Sequence, residues 1–533
     1  MNHNMLHFNR EAFTIMNRKE SGKKAVALSA MLLSATLVVT ACGGGGAVKE
    51  EPSVRGAAPA ANDVKPTEIS ILSIFYQKEP PAADNIILKE VEKRTNTKLN
   101  ITWVTPNNFS EKVNVTLASG DMPDLMLVTD TGNAAFRNMA KQGAFWDLTE
   151  MIKPYPNLMK FPKITYDNLN IDGKLYGIPR VRPTEGNAQP LLRADWLTKL
   201  NLTMPETTDD LYKVMKAFKE NAPDGQKDTV GMSGYVNAND MGQFSFIESV
   251  FTGANGKYRV KDGKLTDVTL EPEMKAMLEW FRKAYSEGLI PQDFALLKHN
   301  QAKDLVAAGK AGIFADKPNQ EPNFNKDIKS MNPGTNPDMQ WVPFMSGTLG
   351  KMAATGTGHF GMFVIPKKVP EAKVKKLLEF MNYGDSDEGH ELANYGLENE
   401  HFKLENGNYV LTEKAANDPS FQFMQNIFMK FDKYANVATV GLSPEQISRD
   451  KKLIDKASEV GVPSPVSSLV SETNNKLGAD YAKKIQDLKT KVIMNKASME
   501  DWDKFVGELK VDKNYMKILD EFNEAYRAKI GMK

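Results

Sequence analysis

Between Glu68 and Val128 the hydrophobic pattern changes period four times, and that alternation restricts the fold more than any other feature of the chain. Ile69, Ile71 and Ile74 make Glu68–Phe75 a strand, Asp84–Thr95 reads as a helix, and Leu99–Val104 returns to strand. Ser110–Ser119 is a second helix and Pro123–Val128 a third strand. Strands separated by helices imply a parallel sheet with helices on its faces. Ligands of such sheets bind off the carboxyl ends of the strands. Here those ends are Phe75-Tyr76-Gln77, Thr105–Asn107 and Asp130-Thr131.

Later helices carry clear start signals and apolar faces. Thr207-Thr208-Asp209-Asp210 has the spacing of a capping box, and Leu211, Val214, Met215 and Phe218 follow on one face. Met274, Met277, Leu278, Phe281 and Tyr285 form a second stripe, and Val374, Leu377, Leu378 and Met381 a third. Trp502, Phe505, Val506 and Leu509 form a fourth, after Ser498-Met499-Glu500-Asp501. Asp172-Gly173, Asp262-Gly263 and Asn406-Gly407 are turn dipeptides between short strand-like runs.

The first forty residues belong to export rather than to the fold. Met16–Lys24 is basic, and Ala25–Val39 is an uncharged run rich in Ala, Leu, Met and Val. Fifteen residues at ~1.5 Å each reach about 22 Å, short of a hydrocarbon core of about 30 Å, so a secretory signal is favoured over a membrane span. Val39-Thr40-Ala41-Cys42 resembles the bacterial lipobox, whose usual first residue is Leu, and Cys42 would then carry diacylglycerol. Cys42 is the only cysteine, so an internal disulfide is excluded. Two acyl chains are what stable anchoring needs. Gly43–Pro66 is Gly, Ala, Pro and scattered charge, the composition of a flexible tether.

Removing residues 1–41 takes away five basic and two acidic residues and leaves 63 positive and 65 negative groups on 492 residues. That balance argues against a nucleic-acid partner. The length is ample for two or more packed domains.

Several blocks, in order, resemble the extracellular solute-binding protein family 1. They are Leu117–Asp124, Trp146–Thr149, Asp172–Pro179, Leu192–Leu197, Tyr285–Ile290, Gly309–Gly312 and Trp502–Val506. More narrowly, the chain is similar to the large saccharide-binding lipoproteins of Gram-positive bacteria that serve ABC importers. The resemblance implies an α/β, two-lobe, periplasmic-binding-protein-like (type II) fold with a hinge and an interlobe cleft. Residues 67–178 and about 353–397 would form the N-terminal lobe, and 179–352 and about 398–533 the C-terminal lobe, helical at its end. The first crossover would fall near Tyr176–Arg182. The resemblance further implies an oligosaccharide ligand, ABC permease subunits as partners, a lipid anchor on the outer face of the cell membrane, a monomer, and no cofactor.

A saccharide offers hydroxyls and a weakly apolar ring face, so its site needs aromatic platforms with amide, carboxylate and guanidinium groups. Phe75, Tyr76, Asp130 and Thr131 meet that test at strand ends, with burial as the alternative for Phe75. Arg180, Arg182 and Glu185 follow the Tyr-Gly-Ile-Pro block, to bind ligand or to pair across the hinge. Tyr235, Trp341 and His359 lie in Gly- or Pro-rich stretches, each a platform or a plug beneath a loop. Arg180 and Arg182 leave an acidic sugar open.

Some members of the family carry a calcium loop after the helix that here spans Thr208–Glu220. The corresponding Asn221–Asp228 is shorter and lacks the first Asp and the central Asn-Gly of that pattern. Calcium takes about six to eight oxygens, more than Asp224 and Asp228 supply, so a plain loop is expected. The six histidines never stand at zinc-ligand spacing. Three readings therefore stand: an oligosaccharide receptor, a binding protein of the same fold for a peptide or other solute, and a surface enzyme acting on polysaccharide.

Overall fold

The first three predicted strands form and lie parallel. In a computed structural model describing residues 65–76, 79–405, 408–417, 419–437 and 442–531, Thr67–Ile74 pairs along its whole length with Thr97–Val104. On its other side it pairs with Leu125–Val128, Ile71 opposite Leu125. Two later strands complete the sheet: His359–Val364, antiparallel to Leu125–Val128 with Phe363 opposite Leu127, and then Gly177–Val181 at the edge, antiparallel to His359–Val364. Leu125–Val128 is buried at every position, as a strand covered on both faces must be. The signal segment, Cys42, nearly all of the tether, Gln77 and the Asn406-Gly407 turn lie outside the described residues.

The second sheet has the order Met339–Trp341, Gln189–Arg193, Ala311–Asp316, Val230–Met232. Helices Thr208–Asn221 and Pro272–Ser286 bury the predicted stripes against it and its neighbours, Phe218 and Phe281 completely. The Thr207 hydroxyl accepts the Asp210 N–H at 3.1 Å, and Ser498 caps Met499–Val511 in the same way. Asp262 and Gly263, both at positive φ, close the hairpin of Tyr258–Lys261 and Lys264–Asp267.

Each sheet has its own core, and among the described residues the chain passes between them three times: between Val181 and Gln189, between Ala354 and His359, and between Phe428 and Val437. The crossings are laced together. The N–H of Gly356 donates to the Thr184 carbonyl at 2.7 Å, that of Arg182 to the Gly358 carbonyl at 2.9 Å, and the Asn436 amide to the Glu185 carbonyl at 2.9 Å. The register of the edge pair, His359–Val364 with Gly177–Val181, shifts between His359 and Met362. Gly361 lies there at φ 104°, where a Cβ would come within 2.2 Å of the Val128 carbonyl, so only glycine fits.

The expected lobe limits need correction at three places. Gly177–Val181 belongs wholly to the first sheet, so the lobe does not end at 178. Gly350–Ala354 pairs with Met345–Gly347 and Gly461–Val462 of the second lobe, so the return begins near His359 rather than 353. Phe402, Phe421, Phe423, Met424 and Phe428 pack in the first core, so the last crossing follows Phe428 rather than 397.

Candidate functional site

Arg180 sits on the edge strand Gly177–Val181, every residue of which is buried, and its own exposure is only 2%. A guanidinium so placed must be held by acceptors. Arg180 Nε donates to the Asn426 carbonyl at 3.0 Å, and Nη2 makes a long 3.5 Å contact to its side-chain oxygen. The Arg180 guanidinium lies 5.0 Å from the Phe360 ring centre and that of Arg182, two residues on, 4.5 Å from the same ring. Arg180 Nη1 and Arg182 Nε are buried and have no hydrogen-bond partner among the described residues.

These side chains line a cavity of about 320 Å³ where the crossings leave the first sheet. The carboxyl end of the first strand brings Tyr76, more than half exposed. Helix Asp387–Asn394 brings His390 and Asn394, the segment before the third crossing brings Asn426, and the crossing itself brings Lys430 and Asn436. The second lobe brings Lys317 and Asn319, just past the strand Ala311–Asp316. Among the described residues, no Asp or Glu lines the cavity. Burial, and then the charge of Arg182, pushes Arg180 down to about 10. Burial lowers Arg182 as well, and burial together with Arg182 lowers Lys317. Lys430 forms an ion pair with Asp387.

Of the predicted site residues, the structure brings Tyr76, Arg180 and Arg182 together here. Asp130 and Thr131 follow the third strand at the same end of the sheet, Asp130 exposed, but do not line the cavity. Glu185 stands in the first crossing, where its carbonyl holds Asn436. Tyr235 lies in the second lobe, edge-on to His299 at 6.0 Å.

Three expectations are corrected. Phe75 is buried and meets Trp103 edge-on at 6.3 Å, so it is a core residue. Trp341 is 2% exposed inside the second lobe and offers no ring face to a ligand. His359 accepts the Gly361 N–H on Nδ1, and burial pushes it down to about 4, which keeps it a neutral bulge-former. Asp224, the weak calcium candidate, is taken by Arg193 Nη1 at 2.7 Å and by Trp196 Nε1 at 2.9 Å. A guanidinium occupies the place a metal would need, and Asp228 is an exposed turn residue at φ 59°.

Sequence reasoning missed Lys317, which the strand-end rule would have found after Ile313-Phe314-Ala315-Asp316. It also missed Phe360 as the ring beneath both arginines, and Asn426 and Asn436, which lie in an irregular stretch without periodicity.

Two α/β lobes, three connecting segments and a cavity drawing side chains from both sides make up a hinged receptor for a solute. The chain belongs to the bacterial extracellular solute-binding protein family, whose profile matches residues 76–383. It is 30% identical over 470 residues to lipoprotein LipO of Bacillus subtilis (strain 168), covering 86% of this chain and 92% of that one. It is also 30% identical over 516 residues to the polygalacturonan/rhamnogalacturonan-binding protein YtcQ of the same strain, covering 95% and 99%. Among solved structures it resembles an HMO-binding, ABC-transporter-associated solute-binding protein of Bifidobacterium longum infantis, with TM-score 0.67, 18% identity and coverage of 88% and 100%.

Proposed function

We propose that this chain is the lipid-anchored receptor of an ABC importer, which captures an oligosaccharide between its lobes as a monomer and delivers it intact to the permease. The observation that carries this reading is the cavity at the crossings, lined by Tyr76, guanidinium and ammonium groups and the amides of Asn319, Asn394, Asn426 and Asn436. Amides and cations are donors for sugar oxygens, and an exposed tyrosine ring is a surface for a sugar face. The polysaccharide-binding name of one 30% identical relative supports the same class of ligand. Glycoside hydrolysis needs two carboxyl groups flanking the scissile bond, whereas cations and amides face this cavity.

A thermal-shift screen across neutral and acidic oligosaccharides tests the reading. A bound ligand at a hundredfold above Kd stabilises by about 2.7 kcal/mol, a melting shift of several degrees. The glycan should raise the melting temperature and be recovered uncleaved. Recovery of cleaved sugar would make the protein an enzyme, and stabilisation by peptides alone would make it a peptide receptor. The anchor is tested apart: Cys42→Ser should release the protein into the medium with unchanged ligand affinity, and retention on cells would overturn it.

A further inference from the structure

Four cations line the cavity at the crossings, with no carboxylate among its described lining residues: Lys430, which is paired with Asp387, and three others. Arg180 comes from the edge strand of the first sheet, Arg182 from the first crossing, and Lys317 from the second lobe. None of the three forms an ion pair among the described residues, and Arg180 Nη1 and Arg182 Nε lack any hydrogen-bond partner there. The adjacent carboxylate, Asp316, accepts the backbone N–H of Lys317 at 2.8 Å, and burial raises its pKa.

Three other arginines withdrawn from solvent are matched, although Arg137, also buried, forms no ion pair among the described residues. Arg193 pairs with Asp195 and Asp224, Arg259 with Glu271 and Glu273, and Arg449 with Glu321 and Asp450. A second cavity of about 320 Å³, in the second lobe, shows the same habit: Lys489 there pairs with Glu248 at 2.8 Å, and Lys257 with Asp267 at 3.4 Å. Desolvated charge without a counter-charge is costly, and like charges held together add to that cost. The cavity at the crossings is thus poised for an anion.

We propose, building on the glycan-receptor reading above, that the solute is an anionic oligosaccharide containing uronic acid, one carboxylate of which seats among Arg180, Arg182 and Lys317. A carboxylate is planar and accepts two N–H donors of a guanidinium at once. The seat also explains how binding is coupled to closure. Arg182 in the first crossing and Lys317 in the second lobe line the same cavity, and their like charges oppose one another while it is empty. An anion between them turns that repulsion into attraction and favours the closed form by its differential affinity. A neutral sugar would fill the same space without doing so.

The test compares the full chain's affinity for a panel of uronic-acid oligosaccharides, the methyl esters of the same compounds, sulfated oligosaccharides and neutral ones. At least one free uronate should bind about tenfold or more tighter than its own ester, as expected for a hydrogen-bonded charge pair. Raising the salt should weaken the acid and leave the ester unchanged. Arg182→Gln should erase the difference between acid and ester. Lys317→Met, on the other lobe and away from the buried strand, should reduce it and serves as the second variant if Arg182→Gln fails to fold. Equal or tighter binding of esters or neutral glycans would overturn the anionic seat and leave the receptor reading standing. Binding of sulfated sugars alone would overturn the uronic assignment. Failure of every glycan on folded protein would remove the receptor reading itself and this inference with it.

Discussion

Glu321 is wholly buried and shares Arg449 with Asp450, while its other oxygen accepts the Trp341 N–H at 2.8 Å. Burial, and then the charge of Asp450, pushes Glu321 up to about 8. The folded state therefore holds this proton more tightly than the unfolded chain. Its contribution to stability is complete below the ordinary carboxylate range and is lost as pH rises through about 8. Denaturant melts between pH 5 and 9 should show the loss, at most about 1.4 kcal/mol per pH unit. Glu321→Gln should flatten that slope. Trp341 beside it fills the core, so Trp341→Ala should cost about 3–5 kcal/mol in chemical denaturation, while ligand affinity at permissive temperature is retained. A ligand affinity lost in step with stability would return Trp341 to the binding site. These two residues mark what the sequence could tell of the site. Tyr76 and the arginines were legible because a strand end or a crossover places them, whatever surrounds them. Trp341 and Phe75 have the same composition cues, and only the long-range packing that buries them tells core from platform.

Helices with a start signal and one apolar face were legible to within a few residues, because cap and stripe are both local. Thr207→Ala is expected to cost about 1 kcal/mol through loss of the cap on Thr208–Asn221, read as a shift in the denaturation midpoint with unchanged slope. The stretch 398–428 was misassigned for the opposite reason. It holds a short hairpin, one turn of α-helix and the 3₁₀ segment Pro419–Asn426, none long enough to show a period. What places it in the first lobe is Phe421, Phe423, Met424 and Phe428 packing in the first core, Phe423 edge-on to Trp103 and Phe428 against Phe380. The same segment supplies Asn426, the acceptor that holds Arg180. An error about a lobe boundary was therefore also an omission from the site.

The two lobes meet through three crossings that hydrogen-bond to one another, and ligand-driven closure must bend all three together. Their placement also fixes when the first lobe can fold. Leu125–Val128, buried along its full length, has only one partner until His359–Val364 arrives to cover its other edge, and the core needs Phe421–Phe428 beyond that. A fragment ending before His359 should consequently lack a stable first lobe, seen as rapid proteolysis and a non-cooperative melt. A cooperative transition in that fragment would show the early strands to be self-sufficient. For a chain that emerges N-terminus first, the earliest residues outside are among the last to settle. The outer two-thirds must wait as a sticky, half-finished sheet with a bare apolar edge, exposed to proteases and to other copies of itself. Each new receptor thus passes through a delay set by topology before it can hold anything, and a cell making it in quantity would need help on the far side of the membrane to bridge that interval.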